Sequence, residues 1–231
     1  MTFDYRAVFG SKKLILFDID GTLVNILQMH IDILADAYHE HAGIKPRNNR
    51  EVSKHFGVPT HEMARNFLTE NKITHDEKMI HNIVDYHFEK IAARAHEIAT
   101  GNVIPGVTPL LTKLKKDHKT IMTITGGTRK MSTHILEQTK LLPYLDETIF
   151  SDDLYHGKKI KQRSQMLEIA FEKAVKKDPS LTRKDCIVVG DTPNDILAAR
   201  AAQMDSIGVG TGSHTEEEIM AQKPTYWIPH F

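Results

Sequence analysis

The sequence predicts an α/β fold, a parallel sheet with one all-helical block inserted into it. Short β-branched runs alternate along the chain with helical patterns, at Leu14 to Ile19, Thr120 to Thr125, Thr148 to Phe150, Cys186 to Gly190 and Ser206 to Val209. Those runs are apolar at every position rather than at alternate ones, as in strands covered on both faces. Between Asn25 and about Thr100 the strand signal disappears, so the helices there form a separate block just after the first strand.

The first helix of the block is predicted over Ile26 to Ala42, where Leu27, Ile31, Leu34 and Tyr38 form one stripe and Gly43 supplies the usual C-terminal stop. Two shorter helices are expected near Glu51 to Phe56 and Thr60 to Thr69. Thr74 and Glu77 have capping-box spacing ahead of a long helix reaching about Ala99. Its stripe is read as Ile80, Val84, Phe88, Ile91, Ala95 and Ile98. The block therefore spans 25–100, and the α/β core comprises 1–24 and 101–231. No internal repeat or low-complexity segment is present.

Composition narrows the function classes. The 231 residues carry 30 Lys and Arg against 30 Asp and Glu, so nothing electrostatic favours nucleic acid or an anionic membrane as partner. Apolar residues make up 40% of the chain, enough for a core. One cysteine, Cys186, lies in an apolar strand and reads as an inert core residue of a reducing, cytoplasmic setting. The N-terminus lacks a basic region followed by an apolar one, and no run approaches the ~20 apolar residues of a membrane span.

The chemistry concentrates at strand ends. In LILFDIDGTL the first strand finishes in Asp18 and Asp20, two carboxylates on one side of the chain, a ready-made site for a hard cation such as Mg2+. Ligands of open α/β sheets bind at the carboxyl ends of strands. In VVGDTPND, Asp191 leaves a second strand, while Asp195 falls at the capping-box position of a helix with Thr192 as N-cap and Pro193 first. In TITGGTRK, Thr125 and the glycine turn at Gly126 make a cradle for an oxyanion. The segment DDLYHGKKIKQR offers lysines that would balance the charge of a bound phosphate.

These four motifs, D-x-D-G-T-L, hydrophobic-Thr, Lys and G-D-x-x-x-D, occur in order at strand ends. The chain thereby resembles the haloacid dehalogenase superfamily over essentially its whole length, with a helical insertion similar to the family's C1-type cap. Its pattern is similar to the phosphoglycolate-phosphatase-like members and their β-phosphoglucomutase cousins. The resemblance implies a Rossmann-like core and a Mg2+-dependent phosphomonoester hydrolase acting on a small soluble metabolite such as phosphoglycolate. Asp18 would be the nucleophile that forms an aspartyl-phosphate, and Asp20 the acid and then the base. Mg2+ would be held by Asp18, Asp191 and the backbone carbonyl of Asp20, with Asp195 ordering its water shell. Thr125 and the N–H of Gly126 would bind the phosphoryl oxygens. The motif lysine is assigned to Lys161, with Lys158 second; the proline usually found after it is missing in both registers.

Asn25 stands where many relatives have aspartate. His30 lies ten residues after Asp20, where phosphomutases carry a histidine, but some phosphatases do too. Nine of the 14 histidines fall in the helical block, and their spacings do not suit a zinc site. An isomerase moving phosphate within a sugar would share every core residue, and a non-catalytic phosphate-binding protein is the third reading. Dehalogenases lack the second aspartate, and phosphonatases replace it. Lys45, Arg47, Arg50 and Lys54, near a cap loop, hint at a second anionic group on the substrate.

Overall fold

The computed structural model describes residues 4–94 and 97–231. Six parallel strands form one sheet: β1 (Leu14–Phe17), β2 (Thr120–Ile124), β3 (Glu147–Ile149), β6 (Cys186–Gly190), β7 (Asp205–Val209) and β8 (Tyr226–Ile228). Their order is β3-β2-β1-β6-β7-β8, so the chain builds outward from β1 in one direction and then in the other. Order reverses at β1, where such sheets open a crevice at the strands' carboxyl ends. Leu154–Tyr155 (β4) and Lys158–Lys159 (β5) form a small separate hairpin.

Every residue of β1 is fully buried, because its side chains alternate between two apolar layers. Ile15 and Phe17 join the layer containing α1 (Tyr5–Phe9), α6 (Val107–Lys116) and α7 (Arg129–Gln138). Leu14 and Leu16 face α8 (Arg163–Lys177) and α9 (Pro193–Ala201). This two-sided burial is why the strand reads as a continuous apolar run. The sequence reading omitted β8 and the β4–β5 hairpin, each only two or three residues long.

The helical block consists of α2 (Leu27–Ala42), α3 (Asn49–Ser53), α4 (Thr60–Glu70) and α5 (Glu77–Ala93). These helices share a third apolar cluster, centred on Tyr38 stacked on Phe67 with ring centroids 3.8 Å apart. Gly43 ends α2 at φ 66°, where a side chain would be strained, and its N–H returns to the His39 carbonyl. Two details differ from expectation. The N-cap of α5 is Asp76, whose carboxylate accepts from the Met79 N–H, in place of Thr74; Glu77 becomes the first helical residue and pairs with Arg65. The buried stripe of α5 is Ile80, Ile83, His87 and Ile91, with Val84 and Phe88 half-buried at its edge. Ala95, read as part of that stripe, lies outside the described residues.

The chain passes between sheet and helical block through paired strands. Val24 bridges Val103, the Asn25 N–H donates to Asn102, and the Ile104 N–H donates to Leu23. Two short crossings joined by hydrogen bonds are thus the covalent link between block and sheet. Among the described residues no helix is long and apolar enough to cross a membrane. Cys186 is buried, and burial pushes its thiol up to about 12.

Candidate active site

Sheet register assembles the site. Phe17 pairs with Val189 on one side and Thr123 on the other, so Asp18 emerges level with Gly190 and Ile124. Asp191 and Thr125 each lie one residue beyond that level, and three adjacent strands deliver their exits to one crevice. Asp18, Asp191 and Asp195 each place a carboxylate oxygen within 4.8 Å of the others, and all three are buried. Burial, with Asp195 and Asp20 adding like charge, pushes Asp18 up to about 7 against the opposing pull of Arg163. Burial first, then Asp18 and Asp195, pushes Asp191 well above the ordinary carboxylate range.

Asp191 is held on one side only. Its Oδ1 accepts the Thr22 hydroxyl at 2.9 Å, whereas Oδ2 is buried with no partner. Gly21, at φ 89°, and Gly212 close around that free oxygen, so that a Cβ on Gly21 would stand 2.4 Å from it and one on Gly212 1.7 Å. A buried, unpartnered carboxylate oxygen facing two other carboxylates suits a hard divalent cation, and the all-oxygen donor set fits Mg2+ chemistry. Asp195 caps α9, as its spacing implied. Its Oδ2 accepts the Thr192 N–H at 3.1 Å and hydroxyl at 2.7 Å, closing the capping box of α9, and its Oδ1 faces the site.

The cation against these carboxylates is Arg163, in place of Lys161 or Lys158. It is the first residue of α8, where a side chain leans back past the helix N-terminus. Its guanidinium pairs with Asp18 Oδ1 through Nη2 and with Asp195 Oδ1 through Nε at 2.6 Å; its side chain is 8% exposed. Burial opposes its charge, yet the two carboxylates more than offset this and hold it protonated. Lys158 is exposed on the β4–β5 hairpin, whose turn residues His156 and Gly157 both have positive φ, as a two-residue hairpin turn requires. Lys161 is also exposed, and its backbone N–H donates to the Gln165 side chain. Arg163 lies two residues beyond Lys161 in the sequence.

Thr125 is buried, its N–H donating to Ile149 and its hydroxyl accepting the Gly127 N–H at 3.0 Å, which shapes the glycine turn. Gly126 and Gly127 line the same small cavity as Asp20, Asp191 and Arg163. Asp20 is less enclosed than Asp18, its side chain 22% exposed. His30 Nε2 lies 3.6 Å from Asp20 Oδ1, and His30 Nδ1 meets His87 Nε2 at 2.9 Å. Burial pushes His87 well below the ordinary histidine range. Two histidines 57 residues apart thus form a chain from the helical block to Asp20, a contact that no sequence spacing reveals.

The loop basic residues turn away from the cavity. Arg47 pairs with Glu51, Arg50 with Glu218 and the Ser213 carbonyl, and Lys54 with Glu70, while Lys45 is exposed. A larger apolar cavity of about 480 Å³ lies across Met131, between α5 and α7, and contains no carboxylate cluster.

Comparison with known proteins agrees with this architecture. The family model described as "Haloacid dehalogenase-like hydrolase" matches residues 15–209. A Dickeya dadantii protein named "Probable phosphatase IndB" is 27% identical over 95% of this chain and 90% of its own. A Chromobacterium violaceum protein named "Phosphoglycolate phosphatase" is 26% identical over 87% of this chain and 86% of its own. Among solved structures, a Clostridium difficile β-phosphoglucomutase superposes with a TM-score of 0.73 at 18% identity, covering 95% of this chain and 91% of that one, a likeness of fold. The chain belongs to the haloacid dehalogenase-like hydrolases and stands among their phosphatases.

Proposed function

We propose that the chain is a Mg2+-dependent phosphomonoester hydrolase for a small soluble metabolite, working through an aspartyl-phosphate on Asp18. The observation that carries this reading is the buried cluster of Asp18, Asp191 and Asp195 with an unpartnered Asp191 oxygen, beside the less enclosed Asp20. Asp18 attacks the phosphorus and the alkoxide leaves. Asp20 gives that alkoxide its proton, then takes one from the water that releases phosphate. Thr125 and the Gly126 N–H position the phosphoryl oxygens, and Arg163 offsets charge gathered around Asp18. Mg2+, held by Asp18, Asp191 and the Asp20 carbonyl, would supply charge neutralisation between nucleophile and phosphate. The helical block, residues 25–100, acts as a cap that excludes bulk water when it closes.

The test is phosphate release from small phosphomonoesters, with Mg2+ or EDTA, in wild type and Asp18→Asn. Release that needs Mg2+ and disappears in Asp18→Asn is expected; equal release by Asp18→Asn refutes the nucleophile. The His30–Asp20 contact leaves an isomerase as the second reading. Interconversion of sugar phosphates without net phosphate release would favour it.

A further inference from the structure

The cavity over Asp20 and Asp191 has a volume of about 70 Å³, and its roof comes from the helical block. Leu27, Phe56, Val58 and Met63 make that roof apolar, and among the described residues no lysine or arginine of the block lines it. Among them the guanidinium at the cavity is that of Arg163, already shared between Asp18 and Asp195. The loop cations that would greet a second anionic group are paired elsewhere or exposed, as described above. Lys130 lines the neighbouring cavity on the far side of Met131, and Lys161 lines another beyond Val58 and Arg163, so neither reaches this one.

We infer that the leaving group accepted here is a small uncharged alcohol carrying a hydroxyl, and not a carboxylate or a second phosphate; this rests on the phosphatase reading above. Charge on the floor points the same way. Four carboxyl groups, Asp18, Asp20, Asp191 and Asp195, crowd this floor, and Arg163 is already paired with two of them. A carboxylate on the leaving group would meet hydrocarbon and further negative charge, with no cation to offset its desolvation.

A hydroxyl is different, because the roof holds partners for it. His30 Nε2 and His87 Nδ1 are both buried without a hydrogen-bond partner and line this cavity. His87 is 2% exposed, and burial keeps it neutral. His30 Nδ1 is engaged by His87 Nε2 at 2.9 Å, which leaves His30 Nε2 and His87 Nδ1 as the pair's hydrogen-bonding surface.

The decisive comparison is kcat/KM for 2-hydroxyethyl phosphate and phosphoglycolate, which differ by a hydroxymethyl against a carboxylate. Both are measured with Mg2+, with Asp18→Asn as the blank. The ester of the uncharged alcohol is expected to be preferred by at least about tenfold. Met63→Lys, which places an ammonium in the roof, is expected to narrow that preference several-fold. Where neither ester turns over, their inhibition constants against p-nitrophenyl phosphate hydrolysis give the same ratio. Equal or better use of phosphoglycolate in an Asp18-dependent reaction overturns the inference and leaves the phosphatase reading standing, as does a ratio unmoved by Met63→Lys. Absence of Mg2+- and Asp18-dependent release from all three esters overturns both.

Discussion

Replacing Gly212 with alanine tests whether the position of Asp191 matters to catalysis. The new methyl would be built 1.7 Å from Asp191 Oδ2 and 2.5 Å from its Cβ. An ordinary carbon–oxygen contact is roughly 3.3 Å, so one partner must give by about 1.5 Å. The Gly212 loop is poorly free to do so. Thr211 donates its hydroxyl to the Gly21 carbonyl at 2.6 Å, and the Ser213 carbonyl accepts from Arg50 at 2.9 Å. Asp191 is the softer side, held by one hydrogen bond from Thr22. A displacement of about 1 Å at a reacting centre costs on the order of 100-fold. Gly212→Ala should therefore lower kcat/KM by about that factor and raise the Mg2+ concentration needed for half-maximal rate. The clash should also lower the melting temperature, so the raised Mg2+ requirement is the readout that separates a displaced Asp191 from a weakened fold. Gly101→Ala is the control, since a Cβ there meets nothing within 4 Å. Activity within threefold of wild type, with an unchanged Mg2+ requirement, would refute the placing of a metal against Asp191.

Arg163→Met should reduce kcat/KM about 100- to 1000-fold by removing the charge opposite Asp18, and Arg163→Lys should recover part of the loss because one ammonium cannot span both carboxylates. An Arg163→Met enzyme as active as wild type would exclude this role. The metal-free chain should also lose stability with rising pH: Asp18 holds its proton up to about 7 in the fold but only to about 4 when unfolded. The sign is that of a raised pKa, with stability complete below pH 4 and lost towards pH 7, by an amount on the order of a few kcal/mol. Mg2+ relieves the same crowding, so its effect on the melting temperature should be larger at pH 8 than at pH 5; an equal effect would show that the cation binds elsewhere.

The sheet was legible because its strands are apolar on both faces and end abruptly in Asp or Thr. β1 to β3, β6 and β7 fall within a residue or two of the sequence boundaries. β8 was missed because three residues, Tyr226–Ile228, contain too few positions to show any period. Helix α5 shows how a correct element can carry a wrong face. Ile80 and Ile91 belong to both readings, but the intermediate pairs 84 and 88 or 83 and 87 differ by about one residue of rotation. Preferring the more apolar pair, Val84 and Phe88, left His87 outside the core, although His87 is the buried one.

The same limit explains which parts of the site were legible. Asp18, Asp20, Thr125, Asp191 and Asp195 announce themselves because each sits in a local pattern, a strand exit or a capping box, that the chain writes within six residues. Arg163, His87 and Gly212 are defined by what they approach across the fold: Asp18 is 145 residues from Arg163, and His30 is 57 from His87. An arginine opening a helix, a histidine on an apolar stripe and a glycine in a loop each have an ordinary structural explanation when read alone. What distinguishes them is the buried charge or orphaned polar atom they meet, since each such group must find a partner once water is excluded. Asp20, His30, His87 and Asp191 each carry an unpartnered buried atom and line one cavity, an observation that points to the same place as the motifs without using them.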